Sequence, residues 1–236
     1  MTLNLDCLGH AVPAVDPDPA RSALVIIDMQ YHDAWPDRGL TAAIERKVPG
    51  SMAYYSARLS GTTIPAIEHL LKAWRTAELP VIHLVFGSDY RDLRDCPGRI
   101  RDWMRNMEKI SGLCDVFWSG SEDFDIIAPL APVPGEMVVK KTTNGAFNGS
   151  NLDDLLRRTG LDTLVICGVV TSACVETTAR DAADHGYGCV LVSDACADYD
   201  PDMHEATMKA FALNFGRVVL GPDDILDLLP PQLVTP

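Results

Sequence analysis

The sequence predicts an α/β fold, a three-layer α/β/α sandwich with a mostly parallel six-stranded sheet. Two observations lead to this prediction. Six short and nearly continuous apolar runs recur along the chain, which is typical of strands buried on both faces of a parallel sheet. Helical patterns separate these runs, as in successive βαβ units with right-handed crossovers. At 236 residues, the chain is long enough for one sizeable α/β core.

The elements follow one another regularly along the chain. Ser150 is typical of a helix N-cap, and Gly160 and Gly186 are typical of C-terminal stops. One helix face after the first strand is predicted from the spacing of Ile64, Ile67, Leu70, Leu71 and Trp74. The predicted strands span residues 23–28, 80–86, 136–140, 163–168, 189–193 and 217–220.

Two segments do not fit the alternation of strand and helix. Residues 1–22 are rich in Pro and Asp, and they predict an N-terminal arm that is either loose or packed on a neighbouring subunit. Residues 87–125 mix charges with large apolar side chains and are too long for a plain connection. We expect this second segment to be a lid over the site or a subunit interface. Residues 23–236 are expected to form a single domain.

Composition and charge exclude several classes of partner. A formal net charge of -13 argues against binding to a phosphate backbone, so nucleic acid is not expected. The first 22 residues lack the pattern of a signal peptide, and no apolar run approaches the length of a membrane span. Seven irregularly spaced cysteines fit neither a disulfide framework nor paired zinc ligands. The sequence therefore predicts a cytoplasmic protein without a membrane partner, and we expect a homo-oligomer, a dimer or a tetramer.

Three residues at predicted strand ends are not explained by apolar burial. Asp28 closes one strand, Lys141 follows another, and Cys174 lies six residues after Gly168, where a strand turns into a helix. In a parallel sheet these ends face one crevice. A helix N-terminus favours the thiolate, a carboxylate can accept the thiol proton, and a lysine can hold that carboxylate ionised. The alternative, three unrelated residues that pack, cap and face solvent, stays open at this point.

The segments "ALVIIDMQ", "KKTTNGAF" and "GVVTSACVETTARDAADHGY" together resemble the isochorismatase-like cysteine hydrolases. That family includes nicotinamidases, the amidohydrolases of N-carbamoylsarcosine and ureidoacrylate, and the hydrolases of biuret and triuret. The resemblance runs from about residue 22 to residue 220. It implies an isochorismatase-like hydrolase domain with a catalytic triad of Asp28, Lys141 and Cys174. The family spacing between the lysine and the following "AF" pair selects Lys141 over Lys140.

The resemblance and the chemistry together imply a mechanism. Asp28 deprotonates Cys174, and the thiolate attacks an amide or ureido carbonyl. The backbone N–H groups of Val170 and Cys174 form an oxyanion hole for the tetrahedral intermediate. Ammonia departs, and water hydrolyses the covalent intermediate. The family also carries a non-proline cis peptide, which here would join Val169 to Val170.

Differences between this sequence and the motifs of individual subfamilies of these hydrolases indicate the substrate. The Asp-x-His metal pair of nicotinamidases is missing after "VIHLVF", so we expect no metal and no cofactor. True isochorismatases lack the nucleophilic cysteine, so Cys174 favours an amide substrate. The loops "KTTNGAFNGSNLD", "FGSDYRDLRD" and "DACADYDPDMH" most resemble those of biuret and triuret hydrolases. The predicted function is therefore release of ammonia from a small ureido compound, triuret or biuret.

Further residues near the three segments are candidates for binding substrate. Each has an ordinary structural alternative, such as a surface loop, a core aromatic or a helix cap. His204 is expected to pack or cap rather than to act as a base, because Asp28 already fills that role. The predicted substrate-binding residues are Gln30, Tyr31, Asn144, Phe147, Glu176 and Asn214.

Two alternative functions stay open. The first is an N-carbamoyl amino acid or ureidoacrylate amidohydrolase. Its substrate carries a carboxylate and would need a cation, which Arg91, Arg94 or Arg99 could supply. The second is a non-catalytic ligand-binding or scaffold protein on the same fold. Ammonia release with and without a thiol-alkylating reagent separates this second alternative from an enzyme.

Overall fold

The computed structural model describes residues 11, 12 and 14–227. Its centre is one sheet with the strand order β3-β2-β1-β4-β5-β6, and every neighbouring pair is parallel. The predicted six-stranded α/β fold is therefore confirmed. The strands are β1 (Ser22–Ile27), β2 (Val81–Phe86), β3 (Met137–Lys141), β4 (Thr163–Val169), β5 (Gly188–Ala197) and β6 (Arg217–Val219).

Helices cover both faces of the sheet, which completes the three layers. The α-helices are α1 (Gly39–Lys47), α2 (Ala53–Arg58), α3 (Ile64–Thr76), α4 (Gly98–Ser111), α5 (Leu152–Thr159), α6 (Glu176–Asp184), α7 (Pro201–Asn214) and α8 (Pro222–Leu226). Two π-helical turns, Leu59–Thr63 and Thr171–Val175, lead into α3 and α6. Short 3₁₀ helices span Pro19–Arg21 and Ala128–Leu130.

The burial of each strand follows from its place in the sheet. Every residue of β1, β2 and β4 is buried, because these strands have a neighbour on each side and a helix layer on each face. The edge strand β3 is less covered, and Val138 within it is exposed. The continuous apolar runs in the sequence therefore mark the central strands.

The predicted helix ends are close to the observed ones. Gly160 ends α5 in the left-handed conformation, with φ of +72°, which glycine adopts without a steric penalty. Ser150 lies one residue before the N-cap, which is Asn151, so its predicted place is corrected by one residue. Its hydroxyl still accepts a hydrogen bond from the N–H of Leu152 at 3.0 Å, and it donates to the carbonyl of Ala146 at 2.7 Å.

The strand order creates a crevice at the carboxyl edge of the sheet, the edge where all six strands end. The chain runs outward from β1 through β2 to β3 and then crosses back to β4, on the other side of β1. Ligands bind at such a switch point in open α/β sheets. Asp28 follows β1 here, Lys141 ends β3, and the turn after β4 contains a cis peptide between Val169 and Val170.

The segment 87–125 is an ordered part of the fold. It contains α4, and it forms a second apolar cluster of its own against the end of β2. The buried members of that cluster are Leu40, Phe86, Leu93, Cys96, Met104, Val116 and Phe117. The outer face of α4, from Arg99 to Asn106, lines the crevice of the same chain.

The predicted terminal features fall partly outside the described residues. Of the N-terminal arm, residues 1–10 and 13 lie outside them, as do residues 228–236 at the other end. The described end of the arm forms the 3₁₀ helix that leads into β1. Among the helices of the described chain, none combines the length and the apolarity that a membrane crossing requires.

Gly168 in β4 allows a close approach of backbone to backbone. It has φ of +119°, and a Cβ there would collide with the carbonyl oxygen and the nitrogen of Ile27 in β1. We expect Gly168→Ala to lower the free energy of unfolding by at least about 3 kcal/mol, because two central strands would have to separate. Urea denaturation measures this change.

Gly135→Ala is the matched control. Gly135 also has a positive φ, +102°, but a Cβ there meets nothing within 4 Å. This variant carries only the backbone penalty, which is about 1–2 kcal/mol. Equal losses in the two variants would contradict the role of strand packing at Gly168.

Candidate active site

A cavity of about 1030 Å³ lies at the carboxyl edge of the sheet. Its wall combines the loop after β1, the outer face of α4, the loop after β3, the turn after β4 and the loop after β5. The polar residues that line the cavity include Asp28, His32, Asp33, Asn144, Cys174 and Asp198. The sequence predicted three of these six.

Asp28 and Lys141 form a buried ion pair beside the cavity. The Nζ of Lys141 lies 2.7 Å from Oδ2 of Asp28, and Lys141 is fully buried. Lys141 also donates to the carbonyl of Thr143 at 3.2 Å and lies 4.3 Å from the ring centroid of Phe86. These contacts fix the ammonium group from three directions.

Burial and the charge of the partner shift the pKa of each group of this pair in opposite directions. Burial raises the pKa of the Asp28 carboxyl above its ordinary value, and the charge of Lys141 only partly offsets that effect. For Lys141, burial acts to lower the pKa, but Asp28 and Cys174 outweigh it and raise the pKa. Asp28 is thus a stronger proton acceptor than an exposed aspartate, and the lysine beside it stays charged.

Cys174 interacts with both members of the pair. It is buried, lines the cavity, and lies with Sγ 4.0 Å from Oδ1 of Asn144. Burial raises the pKa of the thiol well above its ordinary value; Lys141 opposes this effect and Asp28 adds to it. The helix N-terminus was expected to lower the pKa of the thiol and favour the thiolate, but burial outweighs that effect and raises the pKa.

The structure brings Asn144 to the cavity wall, as predicted for a substrate-binding residue. Gln30 and Tyr31 are not among the residues that line the cavity, and their role in substrate binding stays a prediction. The Gln30 amide is buried, donates to the carbonyl of Phe124 and accepts from the N–H of Phe86, both at 2.7 Å. The Tyr31 hydroxyl accepts from the N–H of Ala128 at 3.0 Å. Both side chains hold loops together rather than line the cavity.

The other three predicted substrate-binding residues are also absent from the cavity lining, and their role in binding stays a prediction. Phe147 packs against His185, with ring centroids 4.8 Å apart. Glu176 pairs with Arg180 one turn along α6. Asn214 is exposed and donates to a carbonyl of its own helix at 2.8 Å. These contacts are an aromatic pair, an ion pair and a hydrogen bond within a helix, and each is common for its residue type.

Of the three arginines that could recognise a carboxylate, only Arg99 lines the cavity. The guanidinium of Arg91 lies over the ring of Trp118 at 4.2 Å, outside the cavity lining. That of Arg94 lies over the ring of Tyr90 at 3.8 Å. Arg99 itself is exposed on the outer face of α4.

His204 lies outside the cavity lining, as expected of a histidine that packs. Its Nδ1 is 2.8 Å from the hydroxyl of Thr171, and its Nε2 is 3.0 Å from both Ser193 and Arg58. Burial lowers the pKa of His204 to about 4. The neutral ring therefore holds the turn that carries Cys174 against β5.

Asp198 was missed by the sequence analysis. It directly follows β5, and its Oδ2 accepts from the N–H of Ser172 at 2.6 Å. The predicted strand stopped at Ser193 because two polar residues interrupt the apolar run, whereas β5 continues to Ala197. With the correct strand end, the argument that found Asp28 would also have found Asp198.

Asp33 was also missed, five residues after Asp28. The hydroxyl of Tyr199 donates to its carboxylate, with oxygen distances of 3.0 and 3.3 Å. Burial raises the pKa of Asp33 to about 7, and the charges of Asp28 and Asp198 add to this effect. The cavity therefore holds a carboxyl group that changes charge near neutral pH.

The described residues show no ready metal site. Within 11, 12 and 14–227, no group of three or more His, Cys, Asp or Glu side chains is placed to hold a metal ion. The absence of a metal and of a cofactor stays a prediction.

Comparison with known proteins shows the family. The isochorismatase domain matches residues 22–222, so the chain belongs to the isochorismatase family. It is similar to the ureidoacrylate amidohydrolase RutB of Agrobacterium fabrum, with 31% identity over 212 residues that cover 85% of this chain and 86% of that protein. The RutB of Variovorax paradoxus is 32% identical over 182 residues, which cover 74% of this chain and 68% of that protein.

Solved structures agree with this membership. A cysteine hydrolase from Pseudomonas syringae pv. phaseolicola superposes with a TM-score of 0.74 and 28% identity, covering 92% of this chain and 96% of that chain. The N-carbamoylsarcosine amidase from Thermoplasma acidophilum superposes with a TM-score of 0.60 and 25% identity, covering 85% and 96%.

The raised pKa of Asp33 has a consequence for stability. Its folded pKa of about 7 exceeds the ordinary value of 3.8, so the folded protein holds this proton more tightly than the unfolded chain. The stability from this proton is complete below about pH 4 and is lost as the pH rises through about 7. Asp33→Asn should therefore raise the Tm at pH 8, because the variant buries no charged carboxylate. The rise is about 2–4 °C for each kcal/mol added to the free energy of unfolding. At pH 4 the Tm should change little.

Thermal unfolding at the two pH values measures this effect. Asp37→Asn, at an exposed position of the same loop, is the control and should shift the Tm equally little at both. A rise for Asp33→Asn that is the same at pH 4 and pH 8 would contradict a titration at Asp33.

Proposed function

We propose that this protein is a cysteine amidohydrolase that releases ammonia from a small ureido compound. The observation that carries the proposal is the meeting of Cys174 with the buried pair of Asp28 and Lys141 at the carboxyl edge of the sheet. The names of two similar proteins agree with it, since ureidoacrylate and N-carbamoylsarcosine both contain a carbamoylated nitrogen. Membership of the isochorismatase family supports a hydrolase.

The first half of the proposed reaction moves the thiol proton to Asp28. The Sγ–H bond of Cys174 breaks, the proton passes to the Asp28 carboxylate, and sulfur bonds to the ureido carbonyl carbon. Burial raises the pKa of Asp28, which makes its carboxylate a more effective base. The ammonium group of Lys141 balances the negative charge, which lies on the Asp28 carboxylate before this transfer and on the Cys174 sulfur after it.

The second half releases the products. We assign the backbone N–H groups of Val170 and Cys174, two cavity-lining residues, to the developing oxyanion. Asp28 returns its proton to the leaving nitrogen, the C–N bond breaks, and ammonia departs. Water then attacks the thiocarbamate carbon and gives its proton to Asp28. The C–S bond breaks, Cys174 recovers its proton, and an N-substituted carbamate leaves.

A carboxylated ureido compound of the ureidoacrylate type is the substrate that the cavity favours. Arg99 is the specific observation, because it lines the cavity and makes no ion pair within the described chain. A substrate carboxylate in a cavity that also holds Asp28, Asp33 and Asp198 needs such a cation.

Triuret or biuret is the second candidate substrate. Asn144 favours it, because its amide stands beside Cys174 and offers a donor and an acceptor to a second urea unit. The carboxylates of Asp33 and Asp198 also suit a molecule with several N–H groups. Both candidates place a ureido carbonyl at Cys174, so the reaction is the same.

Cys174→Ser and Asp28→Asn should each lower the rate of ammonia release by at least about 10³-fold, because members of a catalytic triad act as a unit. Steady-state assays on ureidoacrylate, N-carbamoylsarcosine, biuret, triuret and nicotinamide measure the rate, and circular dichroism checks the fold. Cys114→Ser, at an exposed cysteine, is the control and should leave the rate unchanged. Near-normal turnover by Cys174→Ser would refute the nucleophile, and a wild-type protein inactive on every compound would favour a binding protein.

Arg99→Gln distinguishes the two substrate candidates. If Arg99 binds a carboxylate, this variant should lower kcat/KM for ureidoacrylate by about 10- to 100-fold, the range for a hydrogen bond to a charged group, and leave biuret unaffected. Arg94→Gln, outside the cavity lining, is the control. A wild-type protein that prefers biuret or triuret at least tenfold, with no effect of Arg99→Gln, would establish the second candidate instead.

A further inference from the structure

A chain of buried hydrogen bonds reaches the turn after β4 from the side that faces away from the cavity. The turn Thr171–Val175 lines the cavity with residues 172–174, but Thr171 itself is fully buried and lies outside the cavity lining. Its hydroxyl lies 2.8 Å from Nδ1 of His204 in α7. The proposed reaction assigns no role to either of these two side chains.

The partners of the second ring nitrogen determine where the proton of His204 lies. Nε2 is 3.0 Å from Nη2 of Arg58 and 3.0 Å from the hydroxyl of Ser193. A guanidinium group only donates hydrogen bonds, so Nε2 accepts and the proton of the neutral ring lies on Nδ1. Burial and the charge of Arg58 lower the pKa of His204 to about 4, so the ring is neutral near pH 7. The Nδ1–H group therefore donates to the hydroxyl oxygen of Thr171.

Arg58 is held in turn by the irregular part of β5. The register between β4 and β5 shifts after Ile166, as it does at a β-bulge. Arg58, the last residue of α2, donates to the carbonyls of Ser193 and Cys196 in β5, both at 2.9 Å. The contacts that begin in α2 thus pass through β5 and α7 and end on Thr171.

The turn has a second contact, which reaches it from the cavity side. Oδ2 of Asp198, a cavity-lining residue, accepts from the N–H of Ser172 at 2.6 Å. Thr171 directly follows Val170, whose N–H we assign to the oxyanion. Because the two residues share a peptide bond, a shift of Thr171 would move that N–H. His204 and Asp198 therefore hold the oxyanion-hole backbone from opposite sides.

We propose that His204 is a positioning residue that sets the direction of the Val170 N–H through its hydrogen bond to Thr171. The inference rests on the proposed function, because it concerns the oxyanion of that reaction. An oxyanion donor acts only when it points to the place where charge develops, and loss of one donor lowers kcat by about 10²–10³-fold. His204 lies outside the cavity lining, so we expect it to affect kcat and not KM.

Two variants of His204 separate the roles of its two nitrogens. His204→Asn places an amide N–H where Nδ1 lies and keeps the donor to Thr171, whereas His204→Gln reaches the place of Nε2 and loses that donor. On the best ureido substrate, His204→Gln should lower kcat at least about tenfold and change KM by less than about twofold. His204→Asn should keep kcat within about threefold of the wild type, and equal losses in the two variants would overturn the proposal. Thr207→Val, at a buried threonine one turn along α7, is the control and should match the wild type.

Thr171→Val removes the acceptor and tests the same hydrogen bond from its other end. Its kcat should fall as far as that of His204→Gln, and the double variant should be no slower than either single variant, because both changes break one contact. Losses that multiply in the double variant would show independent effects and overturn the proposal.

Two further readouts separate positioning from a general loss of structure. Each His204 variant loses one contact of the ring, so we expect similar falls of the Tm but different kcat values. Alkylation of Cys174 by iodoacetamide uses the thiol but forms no oxyanion, so its rate in His204→Gln should stay within about twofold of the wild type. Mass spectrometry of the peptide that contains Cys174 measures this rate. An alkylation rate that falls in step with kcat, or kcat losses that follow the Tm, would overturn the proposal.

The outcomes also distinguish this inference from the proposed function. If the wild type hydrolyses a ureido compound and His204→Gln keeps kcat within about twofold, the inference is wrong and the function stands. If the wild type hydrolyses only nicotinamide or p-nitrophenyl acetate through Cys174, the function is wrong and the His204 variants are compared on that compound. A wild type that turns over none of these compounds would overturn both proposals.

Discussion

The buried ion pair between Asp28 and Lys141 is the constraint on which the rest of the site depends. Two charges removed from water are costly, and each is tolerated only because the other lies 2.7 Å away. Their strands are not neighbours, since β2 lies between β1 and β3. The parallel register of three strands therefore sets the distance between them. β4 pairs with β1 on its other side and leads into the turn that contains Cys174. The register of the sheet therefore also sets the position of this thiol.

Residues at the ends of strands were predictable, because parallel strands bring their carboxyl ends to one edge whatever their side chains are. This argument identifies Asp28, Lys141 and Cys174 from their positions in the sequence. It failed for Asp198, because β5 continues through polar residues after its apolar run ends. It also failed for His32 and Asp33, which enter the cavity only because the loop after β1 folds back on itself. Such a loop leaves no periodic signal in a sequence.

Five of the six predicted substrate-binding residues lie outside the cavity lining for a different reason. Proximity in sequence to a catalytic residue places a side chain near the site but does not orient it. Gln30 follows Asp28 by two residues, yet its amide joins two loops and faces away from the cavity. The opposite holds for α4, which lies in the segment expected to form a lid or a subunit interface, although the sequence did not show which of its residues would line the cavity. In the structure one face of this helix buries Met104 in the second apolar cluster, while Arg99 and Trp103 line the cavity. The spacing of residues in a sequence distinguishes the two faces of a helix, but it does not show which part of the molecule each face contacts.

The raised pKa of the Cys174 thiol bears on how readily this residue is oxidised. Thiolates attack peroxides and disulfides far faster than thiols do, and burial raises the pKa of this thiol, which favours its protonated form. The remaining buried cysteines, Cys96, Cys167, Cys189 and Cys196, have raised pKa values for the same reason. In the proposed reaction the thiolate forms only when Asp28 takes the proton, so the thiol form would protect Cys174 from oxidation between turnovers. The same burial thus raises both the pKa of the Cys174 thiol and the pKa of the Asp28 carboxyl.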